Sequence, residues 1–442
     1  MSDIADWQRR SLAAVWHPCT QMARAAVVPP LPIERGEGAW LFDYAGQRYF
    51  DANSSWWVNL FGHSDAGIKN AIHQQLDTLA HVMLAGCTHA PAVELAEKLS
   101  ALTAGALGHT FFASDGASAV EIALKMSFHS WRNRGLEAKR EFVCLRNGYH
   151  GETIGALAVT DVAIFRDAYA PLLMHAHVVD APDSRQDQSE DHALESLRQA
   201  LEARQGHIAA VIVEPLIQCA AGMVMHAPSY LRGVRALCDA FDVHLIADEI
   251  AVGCGRTGTF FAFEQAYSGQ PEKRWPDFVT LSKGISGGTL PLSLVLTTEQ
   301  VYQCFWSEEV ARGFLHSHSY TGNALACAAA NAVLDRFALG HVLQKNMQQA
   351  QWLADAFAPF QDDARIEHLR QRGMVLAFDV KPLYAGDRFA ERFHLAARQF
   401  ELLIRPIGRT VYLMPPYLID PASAQFLAQA VRHTLDAVLT NA

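Results

Sequence analysis

Short runs rich in β-branched and aromatic residues alternate with amphipathic stretches through the middle of the chain. The runs fall at 109–113, 141–145, 209–215, 243–250, 277–281 and 292–297, and stretches such as 117–132 and 229–241 place apolar residues at helical spacing between them. Strands separated by helices predict an α/β fold with a mostly parallel, doubly wound sheet. From about Leu334 the pattern changes to a long helix, then short strands at 374–380, 402–405 and 411–414, then a final helix over about 421–439. That part reads as a smaller α+β domain, joined by the N-terminal segment. The expected division is a large domain over 60–333 and a small domain made of 1–59 and 334–442. No internal repeat or low-complexity tract interrupts it.

Composition narrows the function classes. With 442 residues, 50% hydrophobic and 19% charged, the chain builds a sizeable interior and is too long for one small core. A formal net charge of -10, with no basic run of five residues, argues against a nucleic-acid partner. The eight cysteines are scattered and include no C-x-x-C pair, so neither a zinc site nor a disulfide framework is expected. The first ten residues are polar and no uninterrupted apolar stretch is long enough to span a bilayer. The expectation is a reduced, cytoplasmic setting with no membrane association.

Candidate chemistry lies at the ends of the expected strands. Lys283 follows the run 277–281 and precedes Gly284, Gly287 and Gly288, which puts an amine at the strand edge where open α/β sheets keep their ligands. Such an amine can condense with an aldehyde, although a lone lysine in a loop is usually solvated. Asp248 ends the otherwise apolar run 243–248, where a carboxylate is costly unless a cation or polar ligand receives it. The small residues 114–118 stand at a strand-to-helix turn, a place that suits either an ordinary N-cap or a phosphate. Tyr149, flanked by Gly148 and Gly151, offers a ring that can stack on a planar ligand. Residues 253–258 match G-x-G-x-x-G, the pattern of nicotinamide enzymes. That reading is set aside because Asp248 and Glu249 precede the glycines and no amphipathic helix follows them.

Together these residues resemble the class III aminotransferases, pyridoxal-phosphate enzymes of fold type I. The matching pattern is a strand ending in Asp248-Glu249, then G-x-G-R-T-G at 253–258, then Ser282-Lys283-Gly284. The resemblance runs from about Trp16 to Pro416. It is strongest to the branch acting on 8-amino-7-oxononanoate in biotin biosynthesis, through residues 16–22, 54–57, 147–153, 319–323, 404–406 and 412–416 and through Ala251.

The resemblance implies pyridoxal 5'-phosphate as cofactor. Lys283 would be its Schiff-base lysine and proton shuttle, Asp248 the partner of the ring nitrogen, and Tyr149 the stacking ring. Gly116 and Ala117 would offer N–H groups to the phosphate. A hydroxyl from the facing subunit of a homodimer would complete that site; Ser319 matches it best and Thr321 less well. Arg405 would receive the substrate carboxylate, Trp56 would pack on its aliphatic chain, and Arg256 would stand nearby as a structural or substrate-binding cation. Pro406 and the apolar residues before Arg405 predict a partly buried arginine. The implied amino donor is S-adenosylmethionine, with lysine as the other candidate. Cys19 stands where some relatives have a tyrosine of the donor and substrate pocket, which removes a ring and a hydroxyl there. Asp115 and Ala117 occupy positions that are often serine, a change a backbone-built phosphate site tolerates. The competing reading is an ω-amino-acid:pyruvate or polyamine transaminase, which would share every cofactor residue.

Overall fold

The computed structural model describes residues 4–439. Residues 1–3 and 440–442, at the two ends of the expected small domain, lie outside the described residues. The chain divides into two compact units, one of residues 67–344 and one of 1–66 with 345–442.

Unit 67–344 is built on a seven-stranded sheet. Its strands lie in the order His109–Ala113, Ser293–Thr297, Phe278–Leu281, His244–Asp248, Ile208–Val213, Glu141–Leu145, Ala176–Val179. Only Ser293–Thr297 runs against its neighbours; the other pairings are parallel. The strands Ile208–Val213, His244–Asp248, Phe278–Leu281 and Ser293–Thr297 are buried at every residue, as parallel sheets covered on both faces require. The helix Gly116–Asn133 lies on this sheet, and its Ile122, Met126 and Trp131 share one core with Ile212, Ile246 and Phe278.

Two differences from the sequence reading arise here. The edge strand Ala176–Val179 was not expected: it is four residues long, half buried and interrupted by His177, so neither length nor alternation marks it. The long helix expected from about Leu334 is two helices, Ala324–Leu339 and Val342–Phe357. Gly340 closes the first by donating its N–H to the Arg336 carbonyl, and His341 then turns left-handed with φ +52°. A Cβ at Gly340 would stand 2.5 Å from the Arg336 oxygen, so only glycine fits that stop.

In the unit of 1–66 and 345–442, Ile33–Glu37, Trp40–Asp43 and Arg48–Asp51 form an antiparallel meander. Leu402–Leu403 joins it parallel to Arg48–Asp51, pairing Leu402 with Phe50 and Leu403 with Asp51. A second sheet holds Ile366–Arg372, Val375–Val380 and Thr410–Leu413. The polar strand Ile366–Arg372 was not foreseen. Helix Pro421–Leu439 falls where the periodicity puts it. Among the described residues no helix is long and apolar enough to cross a membrane, and no cluster of three or more His, Cys, Asp or Glu side chains is poised to hold a metal ion.

Candidate active site

Asp248 ends its strand, level in register with Thr280 of the neighbouring parallel strand, and Lys283 stands two residues beyond the end of that neighbour. Asp248 is buried. Its Oδ1 accepts from the Ile250 N–H (3.1 Å) and the Thr280 hydroxyl (3.2 Å), while Oδ2 lies 2.7 Å from His150 Nδ1. The carboxylate left costly by the sequence pattern is thus received by three donors. His150 Nε2, on the far side of that ring, is buried without a hydrogen-bond partner. Lys283 opens a short 3₁₀ turn with φ +46°, a left-handed backbone that non-glycine residues rarely adopt and that clusters at functional sites. Burial lowers the pKa of its amine, against the pull of Asp248, Cys219 and Glu214.

A second buried acid, Glu214, ties two loops together. It accepts from the N–H groups of Tyr149 and Cys219, each at 3.1 Å. Burial pushes its pKa up to about 7, with His150 drawing it down and Asp248 raising it. Tyr149 sits half-buried, its hydroxyl on Glu152 (2.9 Å) and its ring 5.4 Å from Phe165.

The helix Gly116–Asn133 begins beside this loop. Asp115 caps it by accepting from the Ser118 N–H (2.9 Å), and the Ala119 N–H makes the first backbone return to Asp115. The N–H groups of Gly116 and Ala117 therefore precede the first intrahelical bond, at the positive end of a five-turn dipole. Gly151, with φ +124°, lets the Tyr149 loop reach that end: a Cβ there would fall 2.5 Å from the Ala117 Cβ. Tyr149, Asp248, Lys283, Gly116 and Ala117 are thus carried by one continuous set of strand ends and turns.

Trp56, Cys19 and Arg405 line a cleft of about 640 Å³ in the unit of 1–66 and 345–442. Its other walls include Ala25, Val28, Pro29, Leu31 and Ile33. The Arg405 guanidinium stands 5.6 Å from the centroid of the Trp56 ring and donates to the Cys19 carbonyl at 3.0 Å. Arg405 is exposed rather than partly buried as its neighbours suggested; Ile404 and Pro406 are the buried ones. Its backbone N–H is pinned to the Asn53 side-chain oxygen at 2.7 Å, which fixes the point from which the side chain extends into the cleft. Trp56 belongs to a turn in which Ser54, Ser55, Trp56 and Trp57 all have positive φ. Left-handed backbone costs roughly 1–2 kcal/mol per L-residue, so the turn exists only because its surroundings hold it.

Residues 21–435 match the family model described as Aminotransferase class-III. The chain belongs to the class III aminotransferases. The enzymes of this family depend on pyridoxal 5'-phosphate, and the mostly parallel large sheet is that of fold type I. Among the relatives, the adenosylmethionine-8-amino-7-oxononanoate aminotransferase of Helicobacter pylori is 42% identical over 92% of this chain and 92% of its own. The crystal structure of the enzyme so named from Methanocaldococcus jannaschii superposes with a TM-score of 0.92 at 32% identity, covering 99% of this chain and 100% of that one. An amine transaminase from an uncultivated Pseudomonas species, solved in a PLP-bound form, gives 0.89 at 29% identity over 96% and 99%.

Four further residues belong to the class III pattern. Ser319 is exposed, whereas the Thr321 hydroxyl donates to the His318 carbonyl (2.8 Å) and accepts from the His318 N–H (3.0 Å). Arg256 is buried, its charge felt by the thiols of Cys219 and Cys254. Glu249 accepts from the N–H groups of Ala262 (2.7 Å) and Phe263 (2.8 Å), so the second acid of the Asp248-Glu249 pair braces the segment after the glycines. The sequence reading missed His150, Thr280 and Glu214 as members of the site. His150 had one visible signal, its place beside Tyr149; Thr280 and Glu214 had only their positions at or just past strand ends.

Proposed function

We propose that this chain transaminates 8-amino-7-oxononanoate to 7,8-diaminononanoate in biotin biosynthesis, as a cytoplasmic homodimer, with S-adenosylmethionine giving the amino group. The observation that carries the choice of substrate is the Arg405–Trp56 pair at a cleft whose lining mixes Val28, Leu31 and Ile33 with the charged Arg24, Glu391 and Arg398: a guanidinium for a carboxylate beside an indole for an aliphatic chain. The name borne by the Helicobacter pylori relative points the same way.

The residues of the large unit fit pyridoxal 5'-phosphate. The first N–H groups of helix Gly116–Asn133 suit its phosphate, Tyr149 its ring face, Asp248 its ring nitrogen and Lys283 its aldehyde. When bound, the cofactor supplies an electron-withdrawing ring that makes the α-proton of an amine substrate acidic. Asp248 is oriented for its task by His150, Thr280 and the Ile250 N–H. The Nζ of Lys283 can take up the α-proton only when uncharged, and its lowered pKa enlarges that fraction at neutral pH. Arg256 serves as a structural cation behind this wall, in keeping with its burial. Ser319, with its side chain exposed, is the hydroxyl offered to the facing subunit, since that of Thr321 is engaged by its own loop.

The test is spectroscopic. Holo-protein mixed with S-adenosylmethionine alone should lose the long-wavelength absorbance of the bound cofactor and regain it when 8-amino-7-oxononanoate is added. Conversion by lysine but not S-adenosylmethionine would keep the acceptor and change the donor. Indifference to both, with a response to β-alanine and pyruvate, would replace this reading by an ω-amino-acid transaminase.

A further inference from the structure

The four left-handed residues Ser54–Trp57 have φ of +50°, +46°, +72° and +74°, and form one turn of left-handed helix without a glycine. The turn closes on itself through Trp57 N–H to Asn53 O (2.8 Å) and Val58 N–H to Ser54 O (2.9 Å). Those bonds do not explain the hand, because a right-handed turn would make equivalent ones at lower cost. The hand must come from tertiary anchors, and among the deeply buried ones is Asp51, with 1% of its surface exposed.

Both carboxylate oxygens of Asp51 grip Ser55. Oδ1 accepts from its N–H (2.9 Å) and Oδ2 from its hydroxyl (2.7 Å), while His63 Nε2 meets Oδ2 at 3.0 Å. His63 can lie there because residue 36 is glycine: a Cβ on Gly36 would stand 2.7 Å from the His63 Cβ. On the other flank, Ser54 donates to the Met414 carbonyl (2.7 Å), Trp57 Nε1 to the Tyr412 hydroxyl (3.0 Å) and Asn53 Nδ2 to the Tyr412 carbonyl (3.0 Å). The result is that Trp57 is buried at 5% exposure, while its neighbour Trp56 stands 48% exposed beside Arg405.

We propose that Asp51 is a positioning residue: by locking the left-handed turn it holds the Trp56 indole against the Arg405 guanidinium, and so sets the affinity of the cleft for a carboxylate-bearing aliphatic substrate without joining the proton transfers. This rests on the assignment of Trp56 and Arg405 to 8-amino-7-oxononanoate made above. Freed from Asp51, the turn relaxes toward ordinary backbone and swings Trp56 away from Arg405.

The test compares the holoenzyme with Asp51→Ala, Ser55→Gly and the double variant. Asp51→Ala should raise KM for 8-amino-7-oxononanoate roughly ten-fold, while the rate at which the donor alone converts the cofactor stays within about two-fold. Ser55→Gly in the Asp51→Ala background should recover most of that loss, because glycine takes positive φ without a steric penalty. Equal losses in both half-reactions, or no rescue by glycine, would overturn the proposal. Should Asp51→Ala fold poorly, Asp51→Asn keeps an acceptor for the Ser55 N–H and should fall between it and the parent; an Asn variant as impaired as Ala counts against the proposal. A crystal structure of the variant separates this idea from the substrate assignment. If the parent ignores 8-amino-7-oxononanoate, the functional reading fails, yet reversal of φ at 54–57 in the variant would still support the lock. Positive φ retained at all four residues would refute it.

Discussion

At the ends of adjacent parallel strands of the large sheet, Asp248 closes one strand and Lys283 opens the turn after the other, and Asp248 is held by three donors from three different segments. In the cleft of the other unit, Cys19, Trp56 and Arg405 come from three loops, two of them left-handed at the residue in question. The first arrangement excludes water and shifts pKa values: the Lys283 amine is lowered and the Glu214 carboxyl raised, both chiefly by burial. The second leaves its arginine and indole exposed. Under the proposed function, groups that hold or move protons are set on rigid, buried strand ends, whereas groups that choose a substrate are set on loops, where a change of length or residue alters the fit without disturbing the sheet.

The sharpest way to break this contrast is at Lys283. Lys283→Ala should lower turnover by about four orders of magnitude, since no neighbouring group replaces a mobile amine there. Circular dichroism should be unchanged and the cofactor still captured without a covalent link, because the helix N-terminus and Asp248 remain. Turnover above a trace would remove Lys283 from its role.

Next in size is Arg405→Ala. Losing a charge-assisted contact to a carboxylate should raise KM for 8-amino-7-oxononanoate roughly 100-fold. The donor should be nearly indifferent, because its carboxylate sits on the reacting carbon itself, whereas the acceptor carries its carboxylate at the far end of the chain from its ketone. Steady-state kinetics on each substrate decides this. Equal effects would mean that Arg405 serves both substrates, and the division between chemistry and selection would blur.

The same contrast explains what was legible in the sequence. Buried parallel strands must be apolar throughout, so the runs ending at Asp248 and Leu281 announced themselves, and a charged residue just past such a run stood out. The nicotinamide-like glycines at 253–258 were rightly set aside, for Glu249 braces the segment after them. His150 and Glu214 were not read as site members, because their roles depend on which loop packs beside which strand end, a tertiary fact with no local pattern. The left-handed turn was invisible for a different reason: serine and tryptophan do not signal positive φ, and the anchor that imposes it lies in the strand before. Arg405 looked half-buried from Ile404 and Pro406, yet side chains at a loop need not share their neighbours' burial.

The smallest predicted effect tests the premise beneath the largest. His244 opens the strand that Asp248 ends, stacked on Trp131 at 4.2 Å with its Nδ1 2.9 Å from the Ser127 hydroxyl. Burial lowers its pKa from 6.5 to about 4, by the same desolvation that lowers Lys283. Because the folded value lies below the unfolded one, folding favours the neutral ring. The protein is at full stability with respect to this group above pH 6.5 and loses stability as pH falls toward 4, the loss reaching about 2 kcal/mol at pH 5. His244→Phe keeps a ring against Trp131 and leaves Ser127 its bond to the Ala209 carbonyl, so it should cost only about 1 kcal/mol at neutral pH. Urea unfolding followed from pH 7.5 to 4.5 should then show a flatter acid limb in the variant. An acid limb identical to that of the parent would mean that the sheet does not desolvate His244, and it would withdraw the main physical reason for an uncharged Lys283.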